Sequence, residues 1–163
     1  MEKDSVYIHY LIGDLESYVV DNKTKIEKII NSRENLSIED SLYIFEKFSN
    51  SLKKTTNLIK LSREIKDTDT LRTVSIISSE TIAWIMFTLP SVESVIPVFI
   101  ENLMIDKRHI IDALGELLLE FDELIENPEK LRSVNRELFV MVNDVSMFFG
   151  HLSEIMKKGA IEN

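Results

Sequence analysis

Three histidines, His9, His109 and His151, are the only imidazoles in a chain that has no cysteine. Three imidazoles that converge are one way to hold a zinc or copper ion. Their spacing argues against that use. No two share a helical face, and no Glu-x-x-His pair occurs, although di-iron bundles need that pair twice. Asp106 with His109 comes nearest, at what reads as a helix start, and His151 with Glu154 carries the pattern in reverse order. The expectation is a chain with no metal and no cofactor.

Carboxylates are the second group that could do chemistry. Asp112, Glu116, Glu120 and Glu123 fall on one helical face, and Asp122 and Glu126 thicken it into a dense acidic ridge. Carboxylates four residues apart can share Mg²⁺, as in all-helical nucleotide pyrophosphatases. That chemistry needs a second acidic pair on another helix, facing inward. Here the acids lie opposite Leu117, Phe121 and Ile125, so the ridge is expected to face water. Ser75, Ser78 and Ser79 sit in an apolar helix with no histidine within a turn and no glycine elbow. Their hydroxyls are expected to bond back to the preceding turn. Gly13 and Gly115 are isolated within helical patterns, and neither opens a phosphate-cradling loop. Arg and His do not occur at the short spacing that helical ribonuclease folds use. No catalytic residue is expected.

Composition narrows the classes further. The absence of cysteine excludes disulfides, thiolate metal sites and cysteine nucleophiles. The net charge is −9, whereas a phosphate-binding protein concentrates Lys and Arg. The densest basic spots are the pairs Lys53-Lys54, Lys107-Arg108 and Lys157-Lys158, so direct nucleic-acid binding is disfavoured. No basic start leads into an apolar run, which argues against a secretory signal and for a cytoplasmic protein. Glutamine is absent and isoleucine abundant, a tendency of thermophile proteins that an AT-rich genome would also produce.

These side chains must be positioned by helices. With 163 residues, 44% hydrophobic and 29% charged, the chain suits one domain with a sizeable core. Only 4 Gly and 3 Pro punctuate it, and hairpin signals are absent. Ile8, Ile12, Leu15, Val19, Ile26 and Ile29 make a stripe that predicts a helix over 4–32, with Asp21-Asn22 as a candidate interruption. Ser37 and Asp40 resemble a capping box. Behind them Ile38, Leu42, Phe45, Leu52 and Ile59 predict a helix over 38–66, with Ser49 and Thr56 in the same seam. Such small hydroxyl residues either allow a close backbone approach or mark a less buried edge.

Thr68 or Asp69 is expected to cap a very apolar helix at 70–89, stopped by Pro90. A shorter helix with Val95, Phe99 and Leu103 follows. Asp106 is expected to cap the next, which carries the acidic ridge. Asn127-Pro128-Glu129 is the strongest start signal and Lys157-Lys158-Gly159 the strongest stop. The seam between them, Leu131 to Ile155, steps regularly by three and four and predicts a helix over 128–158. The fold expected is an all-α bundle of about six helices, one domain over 1–163, with frayed ends at 1–3 and 160–163.

The 82–100 stretch is too short and too interrupted to span a membrane, which takes roughly 20 apolar residues. It is expected instead to fill a core or to meet a partner. Ile76, Ala83, Trp84, Phe87, Val95 and Phe99 are the candidate interface residues, because aromatics in a charge-poor patch mark interface centres. The function expected is a non-enzymatic protein–protein interaction module, an adaptor, regulator or small subunit that self-associates, most simply as a homodimer. The alternatives are an acidic inhibitor that mimics nucleic acid, and a metal-dependent hydrolase using the ridge carboxylates.

Overall fold

A computed structural model describes the backbone of residues 2–32, 36–92 and 107–162, and the side chains of 6–32, 36–92 and 110–158. Among the described residues there are five α-helices and no strand. They are α1 (Glu2–Ser32), α2 (Ile38–Leu61), α3 (Thr68–Thr88), α4 (Lys107–Glu126) and α5 (Leu131–Glu162). The all-α bundle is as the sequence predicts, with five helices rather than about six. The helix expected around Val95 and Phe99, and the Asp106 cap, lie outside the described residues.

The ends of the helices follow local chemistry, with corrections. Ser37 and Asp40 form the predicted capping box: the Ser37 hydroxyl accepts from the Asp40 amide at 3.0 Å and the Ser37 amide donates to the Asp40 carboxylate at 3.2 Å. α2 stops at Leu61 and tightens into a 3-10 turn, Ser62–Glu64, so it is shorter than the 38–66 expected. The N-cap of α3 is Asp67, one residue before the expected Thr68 or Asp69. Its carboxylate accepts from the Thr70 hydroxyl at 2.6 Å and the Thr70 amide at 3.1 Å. Those hydrogen bonds, the hydroxyl's first, hold the Asp67 carboxyl below its ordinary range. Asn127 makes no side-chain cap; Pro128–Lys130 is a 3-10 turn that leads into α5. The basic pair and glycine at 157–159 do not end α5, which continues to Glu162. Asp21-Asn22 does not break α1, because the Asn22 amide is absorbed, donating to the Tyr18 carbonyl at 2.7 Å and accepting from the Tyr43 hydroxyl at 3.5 Å.

Cross-helix bonds fix an up-and-down order. Lys54 meets Asp14 at 2.6 Å and Tyr43 meets Asn22, so α2 runs antiparallel to α1. Arg72 donates to the Ile125 carbonyl at 3.3 Å and Ser79 to Asp122 at 2.9 Å, pairing α3 antiparallel to α4. α5 packs most extensively on α2. There the Ser49 hydroxyl donates to the Ser146 carbonyl and the Ser146 hydroxyl to the Ser49 carbonyl, both at 3.0 Å. A hydroxyl that short can reach a neighbouring backbone only where two helices nearly touch, so Ser49 marks close approach rather than an exposed edge.

The core is aromatic where α2, α3 and α5 meet. Phe45 stacks on Phe149 with centroids 5.9 Å apart, and Phe48 meets Phe149 and Trp84 edge-on, both at 5.3 Å. Every residue of the predicted 131–155 seam is buried or half-buried. By length and composition alone Thr68–Val92, which overlaps the 82–100 stretch, is apolar enough to cross a membrane; 56% of its 18-residue apolar window is buried inside the bundle, as befits a core helix.

Candidate functional site

The six interface candidates divide. Trp84 is only 7% exposed and packs on Phe48. It is a core residue of the chain, which corrects its placement on the outward face. The physical reason is helical phase: Trp84 stands seven residues after Ile77, two turns along the same inward face. Ile76, Ala83 and Phe87 step by seven and four on the other side of α3, and Phe87 is 75% exposed. Glu80, also exposed, completes the stripe. Val95 and Phe99 lie outside the described residues.

The acidic candidates Asp112, Glu116, Glu120 and Glu123 are all exposed on α4, with Asp122 and Glu126 beside them. Asp122 accepts from Ser79, and Glu123 pairs with Lys130 at 2.9 Å. The Glu123 hydrogen bond, then its charge, holds the Lys130 ammonium above the ordinary lysine range. Among the described residues no three His, Asp or Glu side chains gather as metal ligands would. His9 and His151 are exposed on α1 and α5, His151 lying 4.0 Å from Glu154, and the side chain of His109 is outside the described residues.

The α3 serines depart from expectation. Thr81 bonds back to the Ile77 carbonyl at 2.8 Å, but the buried hydroxyls of Ser75 and Ser78 have no partner among the described residues. Nothing in the structure explains their orientation.

One cluster is invisible to a linear reading. Where α2 ends beside the start of α5, Lys60, Arg63, Asn135, Arg136 and Phe139 line a cleft of about 380 Å³. A second depression of about 310 Å³ adjoins it, sharing Arg63, Asn135 and Arg136 and adding Arg132 and Glu137. Arg132 is structural, donating to the carbonyls of Ile65 and Lys66, both at 2.7 Å. It thereby ties the start of α5 to carbonyls just beyond the C-terminus of α2. The signal for this site is two basic pairs, Lys60/Arg63 and Arg132/Arg136, at helical spacing on segments 70 residues apart; only packing joins them.

Comparison with known proteins adds family membership. The sequence model of a family described as "Uncharacterized protein" matches residues 8–163. The chain belongs to that family. The match runs from the first buried turn of α1 through the whole of α5, so it covers the bundle rather than one helix. A relative from Aquifex aeolicus (strain VF5), also described as "Uncharacterized protein", is 24% identical over 142 residues, 85% of this chain and 86% of the relative. No solved structure matches the chain.

Proposed function

We propose that the chain is a non-enzymatic helical interaction module that self-associates through the outward stripe of α3. The observation that carries this reading is Phe87, a large aromatic ring 75% exposed in line with Ile76 and Ala83. Leaving such a ring in water forgoes roughly 25 cal/mol for each Å² it could bury. The occupant is a second copy of the chain, because the stripe is self-complementary. In an antiparallel pairing centred between Thr81 and Ile82, Ile76 faces the partner's Phe87 and Glu80 faces the small partner's Ala83. Four residues are far fewer than the roughly 20–30 a side of a standard interface, so the association is a transient one in the micromolar range or weaker.

Light scattering coupled to size exclusion tests it, with Phe87→Asp as the probe. Trp84→Asp is unsuitable because it would break the core. The expected result is a wild-type mass that rises toward twice the chain as concentration increases, and a Phe87→Asp variant that stays monomeric with unchanged helicity. A wild-type monomer throughout, up to hundreds of micromolar, removes the self-association reading. Glu80→Ala refines it: the two-fold brings two glutamates near the axis, so removing them strengthens the dimer.

The exposed acidic row of α4 favours a second reading, an inhibitor that mimics the phosphates of nucleic acid. Competition with DNA for a basic protein, lost when Asp112, Glu116 and Glu120 become Asn or Gln, is the measurement that would support it. The hydrolase reading has less behind it, since the ridge acids point outward.

A further inference from the structure

We propose that the cleft between the end of α2 and the start of α5 binds a phosphate-bearing small molecule, a diphosphate ester whose ring lies against Phe139. The inference is independent of the α3 stripe. It begins with an imbalance. The chain carries a net charge of −9, yet Lys60, Arg63, Arg132 and Arg136 line two adjoining depressions with Glu137 as the single acid. Like charges gathered in this way repel one another, and a fold with 28 acidic residues had ample means to neutralise them. It does so elsewhere: Lys54 pairs with Asp14, Lys130 with Glu123 and Lys157 with Glu46. Among the described residues Lys60, Arg63 and Arg136 are in no ion pair.

The floor of the cleft gives the second observation. Asn135 is only 5% exposed and lines both depressions. No described residue makes a hydrogen bond to its side-chain amide. The residue is buried, but its amide is not among the fully buried polar groups that lack a partner, so it opens on the cleft, where it can donate to and accept from a ligand. Arginine forks bind phosphoryl oxygens in pairs, and lysine adds a point charge. Three unpaired cations match a diphosphate ester, which carries roughly three negative charges at neutral pH (up to two on the terminal phosphoryl group). The half-buried ring of Phe139 supplies an apolar wall on which a ring can stack. The paired volumes are of the size that holds small molecules.

Arg132 ties the site to the fold. Its guanidinium is fixed on the Ile65 and Lys66 carbonyls, so it orients the segment that presents Arg63 and is a positioning residue rather than a ligand contact.

The test uses the full chain and two probes, ADP and inorganic pyrophosphate, titrated by calorimetry and phosphorus NMR at low salt without added metal. ADP is expected to bind, and Arg63→Gln and Arg136→Gln are each expected to weaken it by about tenfold, the loss of a charge-assisted contact. Their unfolding temperatures should stay near that of the wild type, since neither side chain holds another part of the chain. Phe139→Ala should weaken ADP and leave pyrophosphate unchanged, which separates ring stacking from phosphate binding. Lys28→Gln, an exposed cation on α1 outside the cleft, should change nothing. Absence of binding by either probe at millimolar concentration overturns the proposal. So does binding that survives the Arg63/Arg136 double substitution, or that falls equally with Lys28→Gln. Binding of a single-stranded oligonucleotide without measurable affinity for ADP overturns the small-molecule assignment.

Discussion

Trp84 and Phe87 are three residues apart and have opposite fates. Trp84 meets Phe48 edge-on inside the bundle, while Phe87 faces out. Trp84→Ala should therefore cost about 3–5 kcal/mol, the range for a large buried aromatic, read from denaturant unfolding. Phe87→Ala should stay within about 0.5 kcal/mol, as surface changes do. A loss of several kcal/mol at Phe87 would place that ring in the core. Asp67 gives a prediction in pH. Its carboxyl is held below the ordinary aspartate range, first by the Thr70 hydroxyl and then by the Thr70 amide. A depressed folded value means the stabilisation is fully present above the unfolded value, about 3.9, and fades as pH falls through the lower folded value. Asp67→Ala should melt below the wild type at neutral pH, and the gap should narrow as pH drops below about 4. A gap that does not change between pH 7 and pH 2.5 would show that the carboxylate charge plays no part in the cap.

At the scale of elements, arginines from one helix finish another. Arg132 on α5 holds the Ile65 and Lys66 carbonyls beyond α2, and Arg72 on α3 holds the Ile125 carbonyl in the last turn of α4. Arg132→Ala should cost about 1–3 kcal/mol by removing two charge-assisted hydrogen bonds, the one to Ile65 partly buried. Arg132→Lys should recover only part, because an ammonium cannot reproduce the planar fork; full recovery would mean that charge alone matters. Gly13 and Gly115 point the other way. Each lies within a helix, and a Cβ built on either meets no described residue within 4 Å. Alanine at each should raise stability by about 0.5–1 kcal/mol through helix propensity. A loss on thermal melting would reveal a close neighbour that the isolated chain does not show.

For the whole molecule, the seam of α5 and the crossing of Ser49 with Ser146 predict where cooperativity resides. Leu138, buried in that seam, should cost about 2–5 kcal/mol when truncated to alanine. The loss should be seen by every spectroscopic probe at once, since α5 packs on α2 along its length. If self-association through α3 holds, the melting temperature should also rise with protein concentration in the wild type and not in Phe87→Asp. A concentration-independent melt in both would argue for a monomer.

The helical class, the long helices and the Ser37 capping box were legible in the sequence, because three-and-four spacing and cap chemistry are local and act within a few residues. The acidic ridge was legible for the same reason: one helix carries all of it. Helix ends were read less well. Asn127-Pro128 opens a 3-10 turn, and the basic pair before Gly159 does not stop α5; a terminal signal is worth only about 1 kcal/mol and does not by itself fix where a helix ends. Helical phase was written in the spacing, yet it took the packed structure to turn Trp84 inward and Phe87 outward, because α3 is apolar on both sides and composition could not say which side the other helices cover. The basic cleft was decided by tertiary structure alone. Lys60 and Arg63 stand some 70 residues from Arg132 and Arg136, and a charge cluster that depends on two helices lying side by side has no trace in a linear reading of either.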